Sequence, residues 1–359
     1  MENVAIYRFP EEMYQQVADD GFLGTTVPET FGGAGLGMLE MLLFQVGITN
    51  EGIPLLSLVV GACMAMSVLA EHGSDEQRNH YLPAACKGDI RFCFAITEAN
   101  AGTNTINIGT LAKPAGKGSV KLSCNKTFIT DAAESGYALV VARTTPLSET
   151  KRKTDGFTLF IVPTKAKGVA MQPIPVSIAL PESQYQVFFD EVELGPENVL
   201  GEVGKGFNIL FDSLNPERIL GGAICTGIGR FAMDKAVAYA NERVVFKGPI
   251  GAYQALQHPL AIAKIEIEIA SIMARKAAWL FDKGEPCGAE ANMAKLSASA
   301  AGINAVDASL QYFGGNGFTR EYGVFDLSRR VRLTKTAPIN NEMTHNYITE
   351  HVMGLPRSY

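Results

Sequence analysis

The sequence is poor in cysteine and histidine, and the few that it has are scattered. Its six cysteines include no CxxC pair, and neither they nor the five histidines are grouped at the spacing of metal ligands. A disulfide framework is therefore excluded as the basis of the fold, and the cysteines are read as reduced thiols. The pattern predicts no metal site.

Long apolar runs and clustered positive charge are also missing. The longest apolar stretch, residues 53–70, is interrupted by Pro54 and serines, which is typical of a buried helix and not of a membrane span. Residues 1–22 contain acids and no apolar core, so we expect neither a signal peptide nor a transit peptide, and a cytoplasmic protein. The net charge of −6 argues against general affinity for nucleic acid.

What the sequence does contain is enough apolar material for a large core. Of its 359 residues 47% are hydrophobic and 19% charged, which indicates a globular chain of two or three cooperating domains. Helical spacing of apolar residues runs from about residue 11 to 87, and short β-branched and aromatic runs follow to about residue 200. Helical spacing then returns in four long segments, residues 207–245, 252–283, 289–313 and 327–351.

These patterns predict an α+β chain that is mainly helical. The expected order is an N-terminal helical domain, a middle antiparallel β domain and a C-terminal up-and-down bundle of four helices. The predicted boundaries are residues 1–90, 91–202 and 203–359.

Four segments have compositions suited to binding a planar or phosphorylated ligand. They are FAITEANAGTN at residues 94–104, KTFITD at 126–131, RVVFKGPIGAYQ at 243–254 and QYFGGNGF at 311–318. Glycines and hydroxyl residues allow a backbone to approach a ligand closely, and a cation at a helix end can meet an anion. Each segment alone is also compatible with an ordinary strand end, helix end or helix cap.

Together, the four segments resemble the acyl-CoA dehydrogenase family. They are similar, in order and spacing, to that family's TEPxAGSD, KxWITN, RxxFGxPIxxxQ and QxFGGxGF motifs, and the likeness covers essentially the whole chain. The resemblance implies the three domains just described, a homotetramer or homodimer, and FAD between the β domain of one subunit and the helical domain of its neighbour. It also implies an acyl-CoA substrate, an electron-transfer flavoprotein as partner and a role in fatty acid or lipid metabolism.

The resemblance carries site residues over position by position. Residues matching the family's FAD contacts are Phe94, Ile96, Thr97, Gly102, Thr103, Phe128, Ile129, Thr130, Arg243, Phe246, Gln311, Gly315, Asn340 and Glu342. Residues matching its substrate contacts are Thr103, Asn215, Arg218 and Pro338. The chain departs from the motifs at Ala99, Thr103, Asn104, Phe128 and Lys247, none of which removes an obvious flavin contact.

The catalytic base is where the chain differs most from its relatives. Most of them carry a catalytic Glu after the Gly-rich turn, and counting forward from that turn puts Pro338 at its position. Other relatives place the base on the first helix of the C-terminal domain, and LNPERI is similar to their LDLERL, which makes Glu217 the candidate. Asn215 and Pro216 suit a kink or a local helix start there. The alternative is that Glu217 pairs with a basic neighbour on a solvated helix.

Pro338 has a second implication. In relatives the backbone N–H at that position binds the thioester carbonyl, and proline has no N–H. Either the loop shifts so that Ile339 donates, or the protein is slow, altered or inactive. The resemblance therefore implies FAD-dependent α,β-dehydrogenation of an acyl thioester, with two alternatives left open. One is a base-lacking subunit of a heteromeric enzyme, and the other is a flavin-dependent oxidase or monooxygenase.

Overall fold

A computed structural model describes residues 10–357 of the chain. Their contacts divide them into two compact units. The first contains the described residues up to Leu36, together with Leu56–Val176 and Pro181–Leu214. The second contains Gly37–Leu55, Ser177–Leu180 and the described residues from Asn215 onward.

The N-terminal part of the chain is helical. Its helices are α1 (Glu11–Asp19), α2 (Met38–Asn50), α3 (Met66–His72) and α4 (Asp75–Cys86), and a π-helical segment, Leu58–Ala65, leads into α3. Helix α4 starts where it does because Ser74 and Gln77 form a capping box, in which each side chain accepts a hydrogen bond from the backbone N–H of the other. All of these helices except α2 belong to the first unit.

The first unit also contains a mainly antiparallel sheet. Its strands are β1 (Phe92–Ala95), β2 (Leu111–Gly116), β3 (Ser119–Thr130), β4 (Tyr137–Arg143), β5 (Phe157–Pro163), β6 (Val169–Ile174), β7 (Gln184–Leu194) and β8 (Val199–Leu200). They follow the order β6-β7-β3-β2-β4-β5-β8, with β1 beside β4. The β1–β4 pairing and the single bridge between β2 and β4 are parallel. Strands β4 and β5 are buried on both faces, which their continuous apolar runs predict.

The second unit is a helical assembly with small side chains in its core. It contains most of α5 (Gly206–Glu242), then α6 (Gln254–Asp282), α7 (Gly288–Phe313), α8 (Val324–Leu333) and α9 (Asn341–Tyr347). Buried alanines recur at helical spacing along α6 and α7, which allows the helices to approach closely. A short hairpin of β9 (Val244–Val245) and β10 (Gly248–Pro249) joins α5 to α6.

Helix α2 belongs to this second unit. The backbone N–H groups of Met38 and Leu39 donate to the Asp282 carboxylate at the end of α6, at 2.6 and 2.9 Å. A carboxylate at a helix N-terminus satisfies N–H groups that have no partner within the helix. Asp282 thus caps a helix that lies far away in the sequence.

The predicted order of a helical region, a β region and a helical region is confirmed. The prediction of one fourth bundle helix over residues 327–351 is wrong, because the chain leaves the helix after Leu333 and begins α9 only at Asn341. Pro338, which follows a cis peptide bond, has no N–H to continue a helix, and the Asn340 side chain caps the next one by accepting the Met343 N–H at 2.8 Å. Within residues 10–357, no helix is both long and apolar enough to cross a bilayer.

Candidate active site

Glu217 lies on α5, at the start of the part of that helix that belongs to the second unit. The helix is continuous from Gly206 to Glu242, so Pro216 does not begin a new helix, as the sequence had suggested it could. Helix formation is already established ten residues earlier, which leaves Pro216 inside the helix at the loss of one hydrogen bond. Glu217 is therefore fixed on a rigid element.

The Glu217 carboxylate has no partner in the described part of the chain. It is half-buried and surrounded by protein, yet no group among residues 10–357 donates a hydrogen bond or forms an ion pair with it. Burial raises the pKa of Glu217 to about 7, although the charge of Arg218 acts in the opposite direction. A carboxylate that titrates near neutral pH is suited to general base catalysis. The alternative reading, a solvated surface pair, does not describe this side chain.

Arg218 is turned toward Asn215 and not toward Glu217. It is 7% exposed, and its guanidinium donates to Asn215 Oδ1 at 2.8 Å. Its Nε–H is buried and has no acceptor among residues 10–357. Burial lowers the pKa of Arg218, but an arginine remains charged across the physiological range. A cation thus adjoins Glu217 without neutralising it directly.

Pro338 lies beside the same face of α5. A Cβ atom placed on Gly221 would lie 3.7 Å from Pro338 Cδ. Gly221 follows Glu217 by four residues, so the two share one face of the helix, one turn apart. The structure therefore places three of the predicted catalytic and substrate residues, Glu217, Arg218 and Pro338, in one region of the second unit.

The predicted flavin residues of the first unit converge on the end of β1 and a bulge in β3. The pairing of β3 with β7 shifts register between Lys126 and Ile129, and Phe128 there has a φ of 56° and is 60% exposed. The Thr127 N–H donates to the Thr97 carbonyl at 2.9 Å and so joins the bulge to the segment after β1. A large aromatic ring held outward in a strained backbone conformation suggests a binding surface.

A buried ion pair between Lys126 and Glu98 fixes the backbone next to the β3 bulge. Lys126 is fully buried, and its ammonium donates to Glu98 Oε1 and to the Ile96 carbonyl, both at 2.9 Å. Glu98 also accepts from the backbone N–H groups of Gly109 and Thr110. These contacts fix the turn that carries the remaining predicted residues.

The predicted flavin residues of the first unit differ in exposure. Thr97, Ile96 and Thr130 are half-buried, whereas Gly102 and Thr103 are exposed. Phe94 and Ile129 are core residues at 6% and 1% exposure, so the side chains there chiefly support their neighbours. A Cβ on Gly102 would meet no atom within 4 Å, which leaves room for a ligand at that turn.

The predicted flavin residues of the second unit are exposed, except for Asn340, which is half-buried. Phe246 forms part of the β9–β10 turn with a φ of 58° and is 92% exposed, and Arg243 directly follows the last residue of α5. Gln311 lies in the last turn of α7, and Gly315 follows in a turn that needs Gly314 at φ 52° and ψ −130°, a conformation available to glycine. Asn340 caps α9, and Glu342 is exposed in the first turn of that helix.

The donor set in each unit fits FAD. The first unit offers an exposed aromatic ring, hydroxyl groups and an open glycine turn, as a ring system and its polar side chain require. The second offers a guanidinium, an amide and glycine backbone, as a pyrophosphate and an adenosine require. That these residues hold the cofactor stays a prediction from the resemblance.

Comparison with known proteins identifies the class to which this fold and site belong. Sequence profiles of acyl-CoA dehydrogenases match over residues 3–89 for the N-terminal domain, 93–192 for the middle domain and 204–353 for the C-terminal domain. The chain therefore belongs to the acyl-CoA dehydrogenase family, whose members are FAD-dependent oxidoreductases. The predicted membership of this family is confirmed.

Individual relatives agree with this assignment. Acyl-CoA dehydrogenase FadE12 of Mycobacterium tuberculosis is 41% identical over 350 residues, which cover 97% of this chain and 89% of that protein. The structure of butyryl-CoA dehydrogenase from Megasphaera elsdenii superposes with a TM-score of 0.89 at 27% identity, covering 94% of this chain and 88% of that one. An FAD-dependent dehydrogenase superposes with a TM-score of 0.90 at 25% identity, covering 97% and 94%.

Sequence patterns alone did not single out Lys295, which is 1% exposed and donates hydrogen bonds to the loop that contains Pro338. A signal was present, because Lys295 follows Ala291 by four residues and precedes Ala298 by three on the apolar face of α7. Because lysine is rarely buried without a hydrogen-bond or ion-pair partner, a lysine at a core position indicates a specific structural or functional role.

Proposed function

We propose that this protein catalyses the FAD-dependent α,β-dehydrogenation of an acyl thioester, with Glu217 as the base. The observation that carries the proposal is the unpartnered Glu217 carboxylate, whose pKa burial raises to about 7. A carboxylate with that pKa is half deprotonated at neutral pH and strong enough as a base to take part in proton transfer. Its position on α5 compensates for the absence of a carboxylate at Pro338.

The reaction removes two hydrogens from the acyl chain. Glu217 takes the α-proton, the β-hydrogen leaves with its electron pair, and a trans double bond forms between the α and β carbons. FAD, when bound, accepts that hydride equivalent. Glu217 later returns its proton to solvent, and two electrons pass to an acceptor protein, which we propose to be an electron-transfer flavoprotein.

The charges around Glu217 favour this chemistry. Arg218 adds a buried positive charge next to the base, and it is held away from the carboxylate by its bond to Asn215. The charge of Arg218 limits how far burial can raise the pKa of Glu217. The same charge stabilises the negative charge that develops on the thioester. We propose that Asn215, Arg218 and Pro338 border the thioester.

The proposal predicts a product that can be isolated. The purified chain, loaded with FAD and mixed without oxygen with short, branched, long and aromatic acyl-CoAs, should bleach the flavin and release a trans-2-enoyl-CoA. The same acyl groups on an acyl-carrier protein would show whether the carrier is CoA. Turnover by the chain alone would exclude a base-lacking subunit, whereas binding without bleaching for every ester would contradict the proposal.

An oxygen-dependent alternative has a different signature. Flavin-dependent oxidation would consume oxygen with each turnover and release peroxide or a hydroxylated product. Acceptor-dependent turnover with slow oxygen consumption supports the dehydrogenase, and fast, stoichiometric peroxide formation contradicts it.

We further propose that the chain associates with copies of itself through α6. Four isoleucines on that helix, Ile262, Ile265, Ile269 and Ile272, are 57–66% exposed and follow one another at intervals of three and four residues. That spacing places them in one stripe along the helix, as in helix–helix interfaces. Contiguous exposed apolar surface of this kind is unusual in monomers. The resemblance to a family of homotetramers makes a second copy the natural occupant.

Sedimentation velocity tests this association. Replacing Ile265 and Ile269 together by Glu should shift the protein to a smaller species, because a buried unpaired carboxylate disrupts an apolar interface. Replacing the same two residues by Leu should leave the assembly intact. A wild-type monomer, or an unchanged assembly in the Glu variant, would contradict the proposal.

A further inference from the structure

Lys295 of α7 carries a buried charge that no acid in the described part of the chain neutralises through an ion pair. It is 1% exposed, and no carboxylate within residues 10–357 forms an ion pair with it. Its ammonium instead donates to the Ile339 carbonyl at 2.5 Å and to Asn341 Oδ1 at 2.6 Å. Burying an ammonium is unfavourable unless it is well hydrogen-bonded, so the loop satisfies the lysine and the lysine fixes the loop.

The charge of Lys295 persists at neutral pH. Burial, with a smaller contribution from the charge of Arg218, lowers the pKa of the ammonium to about 8, although the Cys225 thiol and the Glu342 carboxylate act in the opposite direction. The protonated form therefore predominates at pH 7. A charged donor orients a peptide carbonyl more firmly than a neutral donor does.

The loop between α8 and α9, which contacts Lys295, is held in place on both sides of the Ile339 N–H. Pro338 packs within ordinary contact distance of the position that a Cβ on Gly221 would occupy, and its ring restricts the backbone. The Ile339 carbonyl is held by Lys295. Between these two points, the Ile339 N–H makes no hydrogen bond with any residue from 10 to 357.

Further contacts keep the end of the loop in place. The Asn341 side chain donates to Ser299 Oγ on α7 at 3.1 Å, and the Asn341 N–H donates to the Lys335 carbonyl at 3.1 Å. Rotation of the peptide between Ile339 and Asn340, which directly follows the Ile339 N–H along the backbone, therefore requires breaking a charged hydrogen bond. The backbone on the C-terminal side of the Ile339 N–H is thus held by α7, an element separate from the helix that carries Glu217.

Proton removal next to a thioester needs a donor of this kind. As the α-proton leaves, negative charge develops on the carbonyl oxygen, and a preorganised N–H is an effective way to stabilise it. We propose that Lys295 is a positioning residue, which fixes the loop so that the Ile339 N–H can donate to the thioester oxygen near Glu217. This inference rests on the proposed function, since it supplies the group that completes the action of the base.

A ligand that ionises on its own tests the donor without turnover. A 3-oxoacyl-CoA has an acidic α-proton, and its enolate is visible by ultraviolet absorbance when it binds. Replacing Lys295 by Met should raise the pH at which the bound ligand ionises by about one unit, and lower kcat about 10- to 100-fold. The affinity for an S-alkyl-CoA thioether, which lacks the carbonyl oxygen, and the FAD content should stay within about twofold.

Two further variants keep the test decisive. Lys235→Met is the matched control, because Lys235 lies on α5 with its ammonium 5.4 Å from the Phe231 ring, and it should leave all four measurements unchanged. Asn341→Asp should raise the ionisation pH in the same direction as Lys295→Met, since a carboxylate at this position draws the ammonium away from the Ile339 carbonyl. If Lys295→Met does not fold, Asn341→Asp decides the outcome.

The outcomes separate this inference from the proposed function. An unchanged ionisation pH in the variants, or a parallel loss of thioether affinity, would overturn the role of Lys295 and leave Glu217 as the base. Glu217→Gln should abolish turnover but retain the ionisation of the 3-oxo ligand. Failure of the chain to bind or oxidise any acyl thioester would instead overturn the proposed function itself.

Discussion

The most informative single change is Glu217→Gln, which keeps the size and shape of the side chain but removes its basicity. If Glu217 is the base, the variant should retain FAD and bind acyl thioesters, yet lose turnover by at least about 100-fold, which is the usual contribution of a general base. Because the carboxylate has no hydrogen-bond partner within residues 10–357, the amide disturbs no existing contact.

In the wild-type protein, the titration of Glu217 should be visible in the dependence of kcat/KM on pH. With a pKa of about 7, roughly a tenth of Glu217 is deprotonated at pH 6 and roughly nine-tenths at pH 8, so kcat/KM should rise about tenfold between those values. The rise should be absent from the residual activity of Glu217→Gln.

Stability gives a measurement that is independent of catalysis. The pKa of Glu217 is higher in the folded chain than its ordinary value of 4.5, so the folded state binds more protons between about pH 4.5 and 7. The free energy of unfolding therefore falls as pH rises through that window. At about 1.4 kcal/mol per pKa unit, Glu217→Gln should be more stable than wild type by up to about 3 kcal/mol at pH 8, and by almost nothing at pH 4.

Urea unfolding at both pH values and steady-state kinetics across the range would measure these effects. Glu290→Gln is a suitable control, because Glu290 has a cationic partner, Lys276, at 3.0 Å and its removal should not alter the pH profile. A flat wild-type profile, or a Glu217→Gln variant with full turnover, would refute the reasoning.

Other predictions follow from burial and close packing. Burial and neighbouring carboxylates raise the pKa of Asp131 to about 8, so stability should fall as pH rises from about 4 to about 8, and Asp131→Asn should flatten that dependence in thermal unfolding at several pH values. Gly221→Ala should be tolerated, with a gain of up to about 1 kcal/mol in urea unfolding, because its Cβ would lie 3.7 Å from Pro338 Cδ. By filling space one turn from the base, it should raise KM for branched acyl groups. Gly227→Ala should instead lose about 1 to 3 kcal/mol, since its Cβ would lie 2.0 Å from Thr49 Oγ1; equal stability of the two alanine variants would contradict this contrast.

The long helices were predictable because their apolar period is strong and their ends carry Gly and Pro. The predicted segment over residues 289–313 corresponds closely to α7, Gly288–Phe313. The segment over residues 327–351 failed because apolar period cannot show that Pro338 interrupts a helix and that Asn340 caps another. The bulge at Phe128 was equally unreadable, since register depends on the partner strand.

The residues of the candidate site could be predicted from the sequence, but their burial and their hydrogen-bond partners could not. The motif comparison located Glu217, yet only the structure shows that Arg218 is bound to Asn215 and leaves the carboxylate unpaired. Lys295 escaped notice because a single lysine in a helix is ordinarily solvated. Its partners on the Pro338 loop are more than 40 residues away along the chain, and no local pattern records such contacts.

Because of the isoleucine stripe of α6, protein concentration becomes a variable in every experiment on this protein. Under the proposed self-association, folding and assembly are linked by mass action, so dilution alone shifts the balance toward separated chains. For a dimer, each tenfold dilution would lower the apparent stability by about 1.4 kcal/mol per mole of dimer. Kinetic assays at nanomolar protein and unfolding experiments at micromolar protein would then sample different populations of molecules. Ile262 and the other isoleucines of the stripe would be exposed to solvent in the separated chains of the first and buried in the assembly of the second.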